Sequence, residues 1–384
     1  MAVNVLPVAA VEPRAAYVHV PFCRHRCGYC NFTLIAGRDD LIPAYLDALE
    51  RELRQLAHPR PVDTLFFGGG TPTHLAVDEL RRLLRLTLAW FPLAGGGEFS
   101  VEANPRDATP EKLATLAEFG VNRLSLGVQS FSARKLELLE RDHRHDEIAR
   151  AVSLAAGHFP SVGIDLIFGV PGESAREWHD DLRETIALRP AHVSTYGLTI
   201  EKGAAFYGRA RRGEFTAVDE ELERACYEDA QDQLQAAGYQ HYEVSNYARP
   251  GFRCRHNEAY WLGQPYFAVG PGAARFVGGR REVNHRSLVA YIRRLAAGQS
   301  PVAEWEQLEP EDAARERLVF GLRRLEGVDA GEFAATTGFS IEQLVGGALP
   351  RYVDLGLLEW NGLRLRLTRA GVLVSDGIWP AFLR

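Results

Sequence analysis

Over the first 240 residues, short apolar runs alternate with longer segments in which apolar residues recur every three or four positions. The short runs read as buried strands and the longer segments as amphipathic helices. Residues 17–20 open the series. A helix follows over 41–56, with Leu46, Leu49, Leu53 and Leu56 along one face. Further strands are predicted at 62–67, 98–102, 123–128, 162–168 and 192–198. Helices are predicted at 75–90, 109–119, 174–188 and 219–237, with helical sequence also following the fourth strand to about 156. Thr109 is placed to cap its helix, with Pro110 in the first turn. Six such units in strict order call for a parallel sheet with right-handed crossovers. Periodicity alone does not choose between an open doubly wound sheet and a barrel.

Beyond residue 238 the alternation stops. One more strand is expected at 242–247. From about residue 309 the pattern is that of a small separate unit, with helices at 312–325, 331–336 and 341–355. Two strands, 357–360 and 363–367, flank Asn361-Gly362, which signals a two-residue hairpin. Helices followed by a hairpin resemble a winged helix. The chain therefore divides into 1–240, 241–308 and 309–384. A net charge of -6 argues against a nucleic-acid surface, and so for a packing role of that last unit. No apolar window is long enough to span a bilayer, and residues 1–16 have no secretory leader pattern, so a cytoplasmic protein is expected.

Candidate chemistry starts directly after the first strand. Three of the five cysteines, Cys23, Cys27 and Cys30, stand in the spacing C-x3-C-x2-C. Clustered thiolates suit a metal in a reducing compartment better than a disulfide framework. No fourth cysteine follows; Phe32 stands where a C-x-C continuation would put one. Three readings stay open on the residues alone: zinc completed by His19 or His25, a redox dithiol, or a cubane iron–sulfur cluster with one iron left free. The other strand ends carry residues with no packing role. These are the Gly68-Gly69-Gly70-Thr71-Pro72 turn, Glu102, Gln129 and, inside the fifth run, Asp165. The glycine turn has no Walker lysine, so it is no phosphate cradle. Cys226 falls in an amphipathic helix and reads as a small buried apolar residue.

A second concentration lies at Cys254-Arg-His256-Asn257-Glu-Ala-Tyr260-Trp261. An imidazole or a thiolate can ligate iron, and flat aromatic rings can pack on a macrocycle. Arg253 and Arg255 can pair with propionates. The plain alternative is a core histidine bonded among aromatics, with the arginines on the surface.

The cysteine spacing, with an aromatic residue before Cys30, resembles the radical S-adenosylmethionine (SAM) superfamily. That resemblance implies a partial (β/α)6 barrel with its chemistry at the carboxyl ends of the strands. It also implies a [4Fe–4S] cluster on Cys23, Cys27 and Cys30. SAM would be held by Tyr17, Gly69, Gly70, Thr71, Glu102, Gln129, Arg141 and Asp165. The motif H-N-x-x-Y-W, together with Val101-Glu-Ala-Asn-Pro105, Gly127-Val-Gln-Ser-Phe131 and Asp165-Leu-Ile-Phe-Gly-Val-Pro-Gly172, resembles the HemW-type heme chaperones. These are similar to oxygen-independent coproporphyrinogen III oxidase. The resemblance covers nearly the whole chain. It implies heme held near Cys254, His256, Asn257, Tyr260 and Trp261, with His256 or alternatively Cys254 as iron ligand. It further implies transfer to acceptor hemoproteins, membrane-associated respiratory proteins among them. Phe32 in place of a further cysteine, and the lack of a long extension before Tyr17, favour the chaperone over the oxidase. One departure stands out: Ala274, in the Gly270-Pro-Gly272 turn region, replaces a histidine usual in the family.

Overall fold

The computed structural model describes residues 11–383. The leader expectation for 1–16 therefore falls largely outside the described residues. Six strands follow the predicted order: β1 Ala15–Val20, β2 Val62–Gly69, β3 Leu93–Ala103, β4 Arg123–Gln129, β5 Ser161–Phe168 and β6 His192–Gly197. All neighbours among them pair in parallel. The crossovers carry α1 Ile42–Arg54, α2 Val77–Trp90, α3 Pro110–Glu118, α4 Ala133–Leu138, α5 His145–Ala156 and α6 Ala175–Leu188. Along each interior strand one face is apolar and packs in the core, while the other carries polar residues, such as Ser100 and Glu102 on β3 and Ser125 and Gln129 on β4. Val18, Leu65, Phe67, Val101, Leu124, Leu126 and Ile164 are all fully buried. This is the expected radical SAM architecture.

Local chemistry sets the helix ends. Thr109 accepts a hydrogen bond from the Lys112 amide and Ser174 one from the Glu177 amide, each satisfying a first-turn donor. The helical sequence expected up to about residue 156 forms two helices. The break between α4 and α5 includes Glu140 in the left-handed region (φ +56°), and it turns Arg141 inward.

Two further expectations change. The strand predicted at 242–247 is an antiparallel hairpin, β7 Gln240–Glu243 and β8 Asn246–Ala248, after the helices α7 Ala205–Arg211 and α8 Glu220–Ala236. Ser245 turns the chain there, and the buried Glu243 carboxylate accepts from its amide. The sheet also continues past β1. After helix α9 Arg255–Trp261, β9 Tyr266–Val269 pairs in parallel with β1, Ala15 opposite Tyr266. Three antiparallel strands then extend the edge: β10 Ala274–Val277, β11 Arg280–Asn284 and β12 Val302–Gln307. The result is one open twelve-stranded sheet in the order β12-β11-β10-β9-β1-β2-β3-β4-β5-β6-β8-β7. Helix α10 Leu288–Ala296 lays Leu288, Tyr291 and Leu295 into the same core as the barrel.

The last stretch has its own core, including Leu318, Leu322, Ile341, Leu365 and Phe382. It is built on α11 Pro310–Leu322 and a small antiparallel sheet of β13 Val328–Asp329, β14 Leu358–Trp360 and β15 Arg364–Leu367, with β15 in the middle. The helix expected at 341–355 is broken at Gly346, which has a positive φ (+49°). The Asn361-Gly362 hairpin is not the two-residue type. Trp360 pairs with Leu365, leaving four residues in the loop, and the Asn361 side chain accepts from the Leu363 and Arg364 amides.

Candidate functional site

Strand β1 leads straight into the cysteine loop, and the carboxyl ends of β2 to β6 ring a cavity of about 600 Å3 beside it. Cys23, Cys27 and Cys30 line that cavity with Gly69, Gly70, Thr71, Glu102, Gln129, Arg141 and Asp165. Of the eight residues expected around SAM, seven converge here. Tyr17 does not. It lines an adjoining cavity of about 710 Å3 that shares Gly69, Glu102, Phe32 and Arg286 as common wall.

None of the three cysteines is in a disulfide. Cys23 Sγ lies 3.3 Å from Thr71 Oγ1, and Arg141 Nη1 approaches Cys27 Sγ at 3.5 Å. Burial pushes the Cys23 thiol up to about 12 and raises Cys30 as well, while the Arg141 charge opposes this at both. Such thiols ionise when a cation replaces the proton. Among the described residues, no three Cys, His, Asp or Glu side chains converge as a single ion requires. Tetrahedral zinc at 2.3 Å from each sulfur needs thiolates about 3.8 Å apart. A cubane instead takes one thiolate at each of three separate irons, which suits donors spread along a loop.

The cavity walls also fit a polar ligand. Gln129 Oε1 and Arg141 Nε are buried with no hydrogen-bond partner. Buried polar atoms are ordinarily paired, so such orphans in one cavity are unfilled positions for a ligand's donors and acceptors. Gln129 has a left-handed backbone (φ +68°) at an irregularity of the β4–β5 ladder. For a residue with a Cβ this strain costs about 1–2 kcal/mol. Arg141, which by sequence alone could be a solvated helix end, donates through Nη2 to Asn104 Oδ1 and to the Gly127 carbonyl. Glu102 Oε2 accepts from the Gly69 amide at 3.0 Å. Burial, with Asp165 nearby, raises the Glu102 carboxyl to about 7. Asp165 accepts twice from Ser125 Oγ, and burial raises its carboxyl too.

The glycine turn has a reason of its own. A Cβ on Gly69 (φ +105°) would lie 2.3 Å from the His19 ring, and one on Gly70 would lie 2.6 Å from the Phe22 carbonyl. Close packing of β2 against the cysteine loop requires both glycines.

Helix α9 carries the second set of candidates, and here the outcome divides. His256 is buried and has both ring nitrogens engaged, Nδ1 with Thr64 Oγ1 and Nε2 with the Tyr260 hydroxyl, each at 2.9 Å. Its ring stacks on Phe66, and burial lowers it to about 3. Cys254 is buried too, its Sγ 3.5 Å from Glu98 Oε1, with the thiol pushed up to about 12. Neither expected iron ligand lines any of the cavities described here. Both serve the start of α9: the Glu98 carboxylate, reaching over from β3, accepts from the Arg255 and His256 amides. Asn257 is half-buried and lines neither cavity described above. Arg253 pairs with Glu326, and Arg255 donates to the Gly96 carbonyl. Tyr260 and Trp261 do face open space. With Phe276, Arg281 and Phe320 they line a third cavity of about 890 Å3, which meets the middle one at Tyr260 and Tyr266. Three adjoining cavities thus run from the cysteines past α9.

Sequence reasoning missed Asn104, Ser125, Tyr196 and Arg286 in the cysteine cavity. Asn104 and Tyr196 sit at or just beyond strand ends, so the rule that found Glu102 and Gln129 would have reached them, whereas Ser125 lies inside β4. Arg286 had no local signal, because only the pairing of β9 with β1 carries it there.

Comparison with known proteins follows the same outline. The Radical SAM superfamily model matches residues 17–185 and the HemN C-terminal domain model matches 308–374. The heme chaperone HemW of Bacillus subtilis is 34% identical over 375 residues, spanning 96% of this chain and 99% of that one. Its namesake in Escherichia coli is 34% identical over 382 residues, spanning 97% and 99%. The solved structure of coproporphyrinogen III oxidase (HemN) from Escherichia coli, described as a radical SAM enzyme, superposes with a TM-score of 0.86 at 24% identity, over 98% of this chain and 91% of that one. With relatives this similar end to end, the chain belongs to the HemW heme chaperone family of the radical SAM superfamily.

Proposed function

We propose that this chain is a heme chaperone of the cytoplasm that binds heme and passes it to acceptor hemoproteins, including membrane-associated respiratory proteins. The observation that carries the reading is the junction of the thiol-lined cavity with two aromatic-walled ones, in a chain similar throughout to HemW proteins. In this proposal Cys23, Cys27 and Cys30 hold a [4Fe–4S] cluster. Gly69, Gly70, Thr71, Glu102, Gln129, Arg141 and Asp165 hold SAM, with Tyr17 at the margin. When bound, the cluster can supply an electron to the sulfonium of SAM. The protein's part is to place polar groups around that cofactor. Arg141 balances thiolate charge beside Cys27, and Glu102 and Asp165 supply acceptors. Tyr260 and Trp261 offer faces for the macrocycle, and His256 fixes Tyr260. The proposed division of labour keeps the three stretches: 1–240 for cluster and SAM, 241–308 for heme, and 309–384 as a cap. Among the described residues no helix is long and apolar enough to cross a membrane.

The decisive experiment is anaerobic. Reconstituted protein is loaded with heme and mixed with an apo-hemoprotein, and transfer is read from the acceptor's spectrum. Transfer that depends on the cluster is expected. A parallel incubation with coproporphyrinogen III and SAM should yield no protoporphyrinogen; its formation would replace the chaperone reading with the oxidase.

A further inference from the structure

Heme iron needs an axial donor that is both free and turned toward open space. A neutral imidazole meets this need without first losing a proton. Among the described residues, the three adjoining cavities are lined by His19, His25 and His285. His19 is spent, with Nδ1 3.1 Å from the Tyr17 hydroxyl and Nε2 2.6 Å from the Thr33 carbonyl. His25 Nε2 contacts the Glu140 carbonyl and Cys27 Sγ. His285 differs. Its backbone is fixed on both sides, the amide donating to the Pro301 carbonyl and its own carbonyl accepting from the Gly272 amide. Yet its half-buried ring makes no hydrogen bond with any described residue.

The surroundings suit the same cargo. His285 shares the middle cavity with Tyr260, Tyr266 and Phe32, the last 65% exposed with its ring on the rim. Ala274, on the same wall, takes up little room. Next to His285, Arg286 uses Nε on Thr33 Oγ1 and Nη2 on the Asn31 carbonyl, leaving Nη1 for a carboxylate. The rival oxygen donors are worse placed. The Tyr260 hydroxyl is bonded to His256, and burial raises the Tyr266 phenol, so a phenolate there is costly. At about 710 Å3 the space lies within the usual range for organic ligands.

We propose that His285 is the axial ligand by which this chain holds heme iron, in the middle cavity, with Arg286 pairing a propionate. This rests on the heme-chaperone reading above and gives it an atom. The wall shared with the cysteine cavity puts the bound heme next to the proposed cluster and SAM.

The test is a hemin titration of the full-length, cluster-reconstituted protein, read by the Soret band and by electron paramagnetic resonance. The parent should show imidazole-ligated heme. His285→Ala should lose that signature and bind about tenfold or more weakly. It should keep the parental thermal melt and iron content, and added imidazole should restore the spectrum. Retention of the parental Soret band and affinity by His285→Ala overturns the ligand assignment and leaves the chaperone reading standing. Loss that imidazole does not rescue overturns it as well. A parent that takes up no heme overturns both.

Discussion

At the scale of single residues, the site is defined by groups that pay for their position. Glu102 is the clearest. Its carboxyl is held at about 7 against an ordinary 4.5, so the folded chain keeps a proton that the unfolded chain has lost. Stability contributed by this group is complete below about 4.5, declines as pH rises toward 7, and is flat above. At 1.36 kcal/mol per unit the loss amounts to about 3 kcal/mol. Asp165 is shifted in the same direction, so the useful quantity is a difference between proteins. In cluster-free protein, Glu102→Gln should gain on the parent between pH 4.5 and 7, measured by urea melts at fixed pH. The glycines make a second case. Gly70→Ala drives a Cβ to 2.6 Å from a backbone oxygen that cannot step aside. A stability loss of about 2 kcal/mol or more is expected, with reduced cluster uptake, measured by thermal melt and iron assay. Glu102, Gln129 and the glycines were legible in the sequence because polar residues closing apolar runs are conspicuous. Arg141 needed the resemblance, since only the break after α4 separates a cavity residue from a surface one.

At the scale of elements, α9 shows how a motif's side chains can also serve the fold. H-N-x-x-Y-W places His256 and Tyr260 four residues apart, one turn along the same face. Their hydrogen bond, with Thr64 behind, turns the motif into a brace that holds Tyr260 between two cavities. The sequence cannot reveal this, because Thr64 and Glu98 come from β2 and β3, far away along the chain. Glu98→Ala strips acceptors from two α9 amides, which should cost about 1–3 kcal/mol. Glu98→Gln, which retains one acceptor, should recover part of it. Amide hydrogen exchange along α9 in each variant reports whether the helix has loosened. The six βα units were legible for the opposite reason: each is specified by its own periodicity. β9 is a short strand whose partner, β1, lies about 250 residues away, so local pattern carries no trace of that pairing; β10 to β12 then add to it one after another.

At the scale of the whole molecule, metal content separates the readings of the cysteine loop most cheaply. Anaerobically reconstituted protein should hold about four irons and four acid-labile sulfides per chain and negligible zinc, measured by elemental and sulfide analysis. Cys27→Ala should abolish both. The position of β1 in the sheet carries a further consequence. It is flanked by six residue pairs to β2 on one side and four to β9 on the other, so it is interior, never an edge. The ground from which the cysteine loop springs is therefore made by backbone ladders. Small zinc modules fold only as the ion arrives. Here the ladders should form without the cluster. Amide exchange at Val18 and Val20 should be as slow in the cluster-free protein as in the loaded one. Adding iron and sulfide to folded, cluster-free protein should then restore the iron content without passage through an unfolded state.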